Sequence, residues 1–394
     1  MVQHEDFYRI KQLPPYVFEE VNTLKAALRR SGRDIIDLGM GNPDMPTPDF
    51  IVDKLVETVR NPRTHRYSVS RGIAGLRKAM ARYYRRRFDV ALDPDSQIVA
   101  TLGSKEGFAN LAQAITAPGD IILSPNPAYP IHAYGFIIAG GEICAVPALT
   151  PEAHLRGLYQ AIGDARKTPR AMVINYPSNP TAQTIGLDFY TEVVALARRH
   201  DILVLSDLAY SEIYFETPPP SIFQVPGAID LAVEVNSLSK SFAMAGWRVG
   251  MAVGNERMIS ALARVKSYLD YGAFTPIQVA ASAALDAPDS EIDKIRAIYR
   301  ARRDILVSSF AAAGWDIPVP GASMFAWAAI PPQFQTMGSV TFAKHLMEVA
   351  DIAVAPGLGF GEHGDSYVRI GLVENEQRIR QAARNVKRLL ARTP

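Results

Sequence analysis

Cysteine is almost absent from this chain: Cys144 is the one thiol in 394 residues. That excludes a disulfide framework within the chain and a multi-cysteine zinc cluster. In the strand-like run Glu142-Ile143-Cys144-Ala145-Val146 it reads as a small packed hydrophobe. A strong charge of either sign is missing too. Lysine and arginine number 42 against 40 acids, a net +2, so no polyelectrolyte field for nucleic acid is built in. The short basic run Arg85-Arg86-Arg87 after Tyr83-Tyr84 reads as a solvated helix end. No uncharged apolar stretch reaches membrane-spanning length, and no apolar leader follows Met1. No membrane contact is expected, and the expected location is cytoplasmic. No Gly-x-Gly-x-x-Gly follows the first strand, which disfavours a nicotinamide dehydrogenase. Internal repeats and low-complexity segments are absent.

What is present is an ordinary globular balance, 48% hydrophobic and 21% charged, with length for a large core. Short apolar runs alternate with longer amphipathic ones. Gln97–Leu102, Ile121–Leu123, Ala171–Ile174, Ile202–Leu205, Leu231–Val235 and Val249–Val253 read as strands. Leu187–Arg199 reads as one of the intervening helices. Buried strands separated by helices imply an α/β core with a mostly parallel sheet, placed at residues 47–282. Ser290–Ala313 lacks proline and glycine and reads as a long helix leaving that core. Strand-like Met324–Ala328 and Tyr367–Ile370 and helices near Val340–Val349 and Glu376–Ala391 follow, as in a smaller α+β unit.

Several short motifs carry chemistry, each with a plainer reading beside it. Ser237-Leu238-Ser239-Lys240, with Arg248 eight residues on, sets hydroxyls and an arginine fork for a phosphate dianion. A lysine beside that phosphate suits an aldehyde carried by the same molecule, as in pyridoxal 5′-phosphate. Gly103-Ser104-Lys105-Glu106-Gly107 joins a strand to a helix expected from Phe108. It is either an ordinary turn or a backbone cradle for an anion at Ser104 and Lys105. Tyr129, between Ala128 and Pro130, is either a packing ring or one that stacks on a flat ligand. Asn179 lies between Ser178 and Pro180, and either caps its own backbone or presents its amide. Asp207 ends a buried strand, where open α/β sheets place ligand groups, or else caps a helix. Against a pyridine nitrogen it keeps that nitrogen protonated. Arg369 sits among apolar residues and needs an anion, either an internal carboxylate or that of a substrate.

Taken together, these motifs make the chain resemble, over nearly its whole length, the class I aminotransferases of the fold-type I pyridoxal-phosphate (PLP) enzymes. The resemblance also rests on Met40-Gly41-Asn42-Pro43-Asp44, on Tyr67-Ser68-Val69-Ser70-Arg71-Gly72, on Tyr210 after Asp207, and on Pro356-Gly357. It implies a smaller domain built from residues 1–46 and 283–394. It implies that Lys240 is the Schiff-base lysine and Asp207 the partner of the pyridine nitrogen. Tyr210 and Asn179 become donors to the ring oxygen, and Tyr129 the stacking ring. Ser104, Lys105, Ser237, Ser239 and Arg248 form the phosphate cup. Arg369 clamps the substrate α-carboxylate beside the Gly41 backbone. Tyr67 reaches the phosphate of a partner subunit, so the resemblance implies a homodimer with shared sites. One departure is Ala182, where the family often has the glycine of Asn-Pro-Thr-Gly.

Within the family, Leu13–Phe18, Gly39–Asp44, Asn179–Gln183 and Lys266–Gly272 look most like bacterial glutamate–pyruvate (alanine) aminotransferases. The implied cycle is ping-pong, passing through pyridoxamine 5′-phosphate, with alanine or glutamate as donor and pyruvate or 2-oxoglutarate as acceptor. Aspartate or LL-diaminopimelate transamination and a C–S β-lyase on the same fold are the alternatives. No arginine stands in Asp270–Thr275, where aspartate-selective relatives commonly carry a second one. The side chain of glutamate then falls to adaptable polar groups such as Tyr16 or Arg66. A PLP-sensing transcription regulator is disfavoured, because residues 1–46 are too short and too weakly basic for a DNA-binding domain.

Overall fold

The computed structural model describes residues 7, 9–15 and 17–391. Within them the strands are β1 (Ile36–Asp37), β2 (Ile98–Thr101), β3 (Ile121–Asn126), β4 (Glu142–Pro147), β5 (Ala171–Asn175) and β6 (Leu203–Asp207). They continue with β7 (Ala232–Ser237), β8 (Gly250–Gly254), β9 (Phe325–Ala329), β10 (Ile352–Ala353), β11 (Ala355–Pro356) and β12 (Tyr367–Gly371). Seven of them form one sheet in the order β2-β8-β7-β6-β5-β3-β4. Only β8 runs against its neighbours, so the sheet is mostly parallel, as the apolar runs imply.

Every residue of β5, β7 and β8 is buried. That follows from helices covering both faces, so that β5 and β8 are mostly apolar and the polar Glu234 and Asn236 of β7 are buried as well. On one face Val99, Val173, Leu205 and Val235 pack on Phe108, Leu111 and Leu262 of helices Ser104–Ile115 and Glu256–Leu269. On the other, Ile174 and Val204 meet Val193 and Val194 of helix Leu187–His200. Strand β4 forms the outer edge, and Cys144 on it is half-buried.

A second, antiparallel sheet has the order β11-β12-β9. Its cover is helices Asp289–Ala311, Gly338–Ala350 and Glu376–Leu390, with Tyr299, Phe342 and Val386 in the core. Strand β1 pairs in parallel with β10, Ile36 opposite Ile352. Helix Val17–Arg30 docks there through Val21, against Ile35, Met347 and Ala353, with Glu20 bonded to Lys344 at 2.7 Å. Among the described residues no helix is long and apolar enough to cross a membrane.

One buried group makes stability depend on pH. Glu234, on β7, has no exposed surface. Its Oε1 accepts from Tyr84 (2.9 Å) and Ser221 (2.8 Å), and its Oε2 from Ser206 (3.1 Å) and the Ile222 N–H (3.2 Å). Burial outweighs these bonds and pushes its pKa from 4.5 up to about 7. The folded state thus keeps a proton that the unfolded chain releases. Stability from this group is full below pH 4.5 and is lost as pH rises through about 7. Glu234→Gln cannot ionise. Between about pH 5 and about pH 8 it is expected to lose some ~2–3 kcal/mol less stability than the unsubstituted protein. His154, whose burial lowers its pKa to about 4, is common to both proteins and cancels. Urea unfolding at the two pH values checks this; parallel pH dependences would contradict it.

Candidate active site

The parallel strands end at one edge of the large sheet, and a cavity of about 470 Å³ opens there. Register decides what lines it. Asn175 at the end of β5 lies beside Asp207 at the end of β6. Gly250 lies opposite both Thr101 and Ser237, which brings the ends of β2 and β7 together.

At the β2–β7 end the groups suit an anion. Gly103 takes φ 84°, and a β-carbon there would fall 2.2 Å from the Arg248 guanidinium. Glycine is therefore required both for the turn and for the approach of the arginine. The helix that follows begins at Ser104, earlier than the expected Phe108. In the sequence Gly107 reads as part of the turn. It lies inside the helix instead, where a β-carbon would strike the Thr101 methyl at 2.6 Å. Ser104 and Lys105 consequently occupy the first helical turn, whose N–H groups lack partners within the helix. Ser237 caps the short helix Leu238–Ser241, its Oγ accepting from the Ser239 N–H at 3.2 Å. Arg248 donates to the carbonyls of Ala245 (2.9 Å) and Leu102 (3.1 Å).

Lys240 rises from that short helix, and its Nζ donates to the Gly41 carbonyl at 2.6 Å. Burial lowers its pKa to about 8, helped by the positive charges of Arg369 and Arg248. A fraction of the amine is thus unprotonated near neutral pH, as a nucleophile or base requires.

Asp207 is buried, which is costly for a carboxylate unless it is paired. His132 supplies the pair, Nε2 to Oδ2 at 2.8 Å, and the Ala209 N–H bonds Oδ1 at 3.1 Å. The Asn175 amide donates to the Asp207 carbonyl at 3.0 Å and accepts the Asn179 N–H at 3.0 Å. Asn179 Oδ1 accepts from Arg369 at 2.7 Å, which leaves its NH₂ as donor to a ligand. A continuous chain of bonds thus links Asp207 to Arg369. Ala182, at the end of this loop, holds φ 57° and donates its N–H to the Ser178 carbonyl at 2.9 Å. The glycine-type turn is kept despite the β-carbon, at a cost of roughly 1–2 kcal/mol.

Arg369 projects from β12 between two aromatic faces, 3.9 Å from the Phe325 centroid and 4.7 Å from that of Phe360. Its second nitrogen donates to the Gly39 carbonyl at 3.3 Å. Tyr210 is buried with its ring against Phe325, and burial raises its hydroxyl above the ordinary range. Tyr129 is half-buried on the cavity wall, 5.9 Å from Lys105 Nζ.

The cavity brings together Gly41, Ser104, Lys105, Tyr129, Asn179, Asp207, Tyr210, Ser237, Ser239, Lys240, Arg248 and Arg369. Two expected site residues are not among these. Tyr67 is 86% exposed and packs on Tyr271, with ring centroids 4.8 Å apart. Tyr16 lies outside the described residues. The sequence reading missed His132, Asn175 and Phe325. The signal for His132 was its place three residues after Tyr129, at the start of helix Ile131–Ala139. Among the described residues no group of three or more acidic, His or Cys side chains could hold a metal ion.

A mostly parallel sheet with this edge, beside a smaller antiparallel one, is the architecture of the fold-type I transferases. The substrate-bound BacF structure from Bacillus subtilis superposes with TM-score 0.89 and 33% identity, over 99% of this chain and 98% of that one. The family model "Aminotransferase class I and II" matches residues 33–386. A Rhizobium meliloti protein bearing the name aminotransferase AatC is 63% identical over 98% of this chain and 96% of its own length. The Escherichia coli glutamate-pyruvate aminotransferase AlaC is 51% identical, over 97% of this chain and 93% of its own. An LL-diaminopimelate aminotransferase of Moorella thermoacetica is 41% identical over 98% of each chain. The chain belongs to the class I and II aminotransferase family, and it is an aminotransferase.

Proposed function

We propose that this aminotransferase uses pyridoxal 5′-phosphate to move an amino group between alanine or glutamate and pyruvate or 2-oxoglutarate. The observation that carries the reading is a single cavity joining Lys240, Asp207 and Arg369 to an anion-binding end. The donor set fits the cofactor. Ser104, Lys105, Ser237, Ser239 and Arg248 suit its phosphate, and the bare Gly103 leaves the cup open to backbone contact. When bound, pyridoxal phosphate supplies an aldehyde to take up the amino group and a conjugated ring to accept negative charge.

The chain's own groups do the rest. Asp207, fixed by His132, holds a proton on the ring nitrogen. Tyr210 and the Asn179 NH₂ would donate to the ring oxygen. Tyr129 would cover a ring face. Arg369 takes the substrate α-carboxylate in its fork and so sets the orientation of Cα. Lys240 Nζ would hold the cofactor's aldehyde until the incoming amine displaces it, and the freed amine would then take the proton from the substrate Cα.

Alanine and glutamate are favoured over LL-diaminopimelate because identity to the glutamate–pyruvate enzyme is higher. The exposed face of Tyr67, Val69, Tyr268, Leu269, Tyr271 and Phe274 supports a homodimer in which Tyr67 serves the partner's cup. We place a large PLP-binding domain at residues 47–282 and a small, discontinuous domain at residues 1–46 and 283–394, in a cytoplasmic enzyme.

The test mixes the cofactor-loaded protein with single amino acids and follows its visible absorption band. Alanine and glutamate should each bleach the band faster than LL-diaminopimelate or aspartate. The reverse order overturns the substrate reading, and pyruvate release from cystathionine without an oxo-acid acceptor would favour the lyase. A monomer in sedimentation at micromolar concentration overturns the shared site.

A further inference from the structure

Lys266 is fully buried near the end of helix Glu256–Leu269. Its Nζ bonds two carboxylates, Glu106 Oε1 at 2.9 Å and Asp270 Oδ2 at 2.9 Å. None of the three lines the active-site cavity. A buried ammonium between two acids is weak evidence for stability, since desolvation offsets much of the attraction.

The bonds of Glu106 show what the ion pair holds. The Leu102 N–H donates to Glu106 Oε2 at 2.8 Å, and Asn110 Nδ2 bonds Oε1. The carbonyl of Leu102 accepts from Arg248 at 3.1 Å. An unbroken path therefore runs from Lys266 through Glu106 and Leu102 to Arg248, alongside the turn Gly103–Lys105. There is also an electrostatic conflict. Glu106 is the third residue of the helix whose first turn faces the anion, and its negative charge opposes a phosphate dianion there. Lys266, shared with Asp270, offsets part of that charge while leaving Oε2 on the Leu102 N–H.

We infer that Lys266 is a positioning residue for anion binding: it holds Glu106 in place and offsets its charge, so that Gly103–Lys105 and Arg248 can take a phosphate group. This rests on the phosphate-cup reading proposed above, and the experiment separates the two.

Full-length protein stripped of cofactor is titrated with inorganic phosphate by calorimetry, well below its melting temperature. Lys266→Met is expected to weaken phosphate binding about 10–100-fold, the range for residues that orient a binding group from behind. Leu262→Ala, on the same helix and buried, lowers the melting temperature but leaves phosphate affinity unchanged. That readout separates positioning from loss of stability. Glu106→Gln/Lys266→Met removes the opposing charge together with its cation and keeps an acceptor for Leu102, while Asp270 retains the Gly272 N–H at 2.6 Å. It is expected to bind phosphate within about threefold of the unsubstituted protein, and it tests the inference even where Lys266→Met alone fails to fold. Phosphate affinity unchanged in Lys266→Met, or as weak in the double variant as in Arg248→Ala, overturns the inference. Unchanged affinity in Arg248→Ala overturns the cup reading instead.

Discussion

Lys240→Ala is expected to lower the rate of single-turnover transamination by about 10⁴-fold, the upper end of what a positioned acid–base group contributes. The variant keeps the cavity, because Ser237 still caps the short helix and Arg248 still bonds the Leu102 carbonyl. It loses the one amine held at 2.6 Å from the Gly41 carbonyl. Ser239→Ala is the comparison. It removes one hydroxyl from a cup with several other donors, a loss of about 1 kcal/mol, or roughly fivefold. Rapid-mixing absorbance with saturating alanine measures both. Similar rates in the two variants would remove Lys240 from the chemistry. The pH dependence follows from the same site. Reductive trapping of an aldehyde on Lys240 should rise through an apparent pKa of about 8. Arg369→Leu removes a nearby positive charge, so the apparent value should move upward in that variant.

The second large effect falls on Arg369. Arg369→Ala is expected to reduce kcat/KM for alanine about 10²–10³-fold, within the cost of truncating one partner of a buried, hydrogen-bonded charge pair. Arg369→Lys should recover only part of this, since an ammonium cannot present a bidentate fork. The discriminating measurement is ethylamine, which is alanine without its carboxylate. If Arg369 binds that carboxylate, the Ala variant processes ethylamine as slowly as the unsubstituted enzyme does. An equal loss on both substrates would mean that Arg369 serves only to hold Asn179, which it bonds at 2.7 Å.

Most of the local structure was legible in the residues. The runs read as strands at Gln97–Leu102, Ala171–Ile174 and Leu231–Val235 lie within a residue or two of β2, β5 and β7. Strands buried on both faces are rich in apolar residues, and the helices between them carry a different period. The helix expected from Phe108 starts four residues earlier. Gly107 reads as punctuation in a sequence, whereas here it is a packing contact with Thr101 that exists only after β2 and the helix have met. His132 was passed over for the same reason. It lies 75 positions from Asp207 in the chain, and nothing local marks the two as partners.

What the sequence determined by itself is the set of chemical groups and the elements that carry them. The serines beside Lys240, the strand-ending Asp207 and the apolar setting of Arg369 follow from types and spacing along a few residues. What only the tertiary structure decided is which partners each group meets. Asp207 turns out to be paired with His132, Arg369 to lie between Phe325 and Phe360, and Glu106 to be paired from a distant helix with Lys266. The reason is physical. Burying a charge is costly wherever it occurs, and the partner that offsets the cost comes from sheet register and helix packing, which bring together residues far apart in the chain.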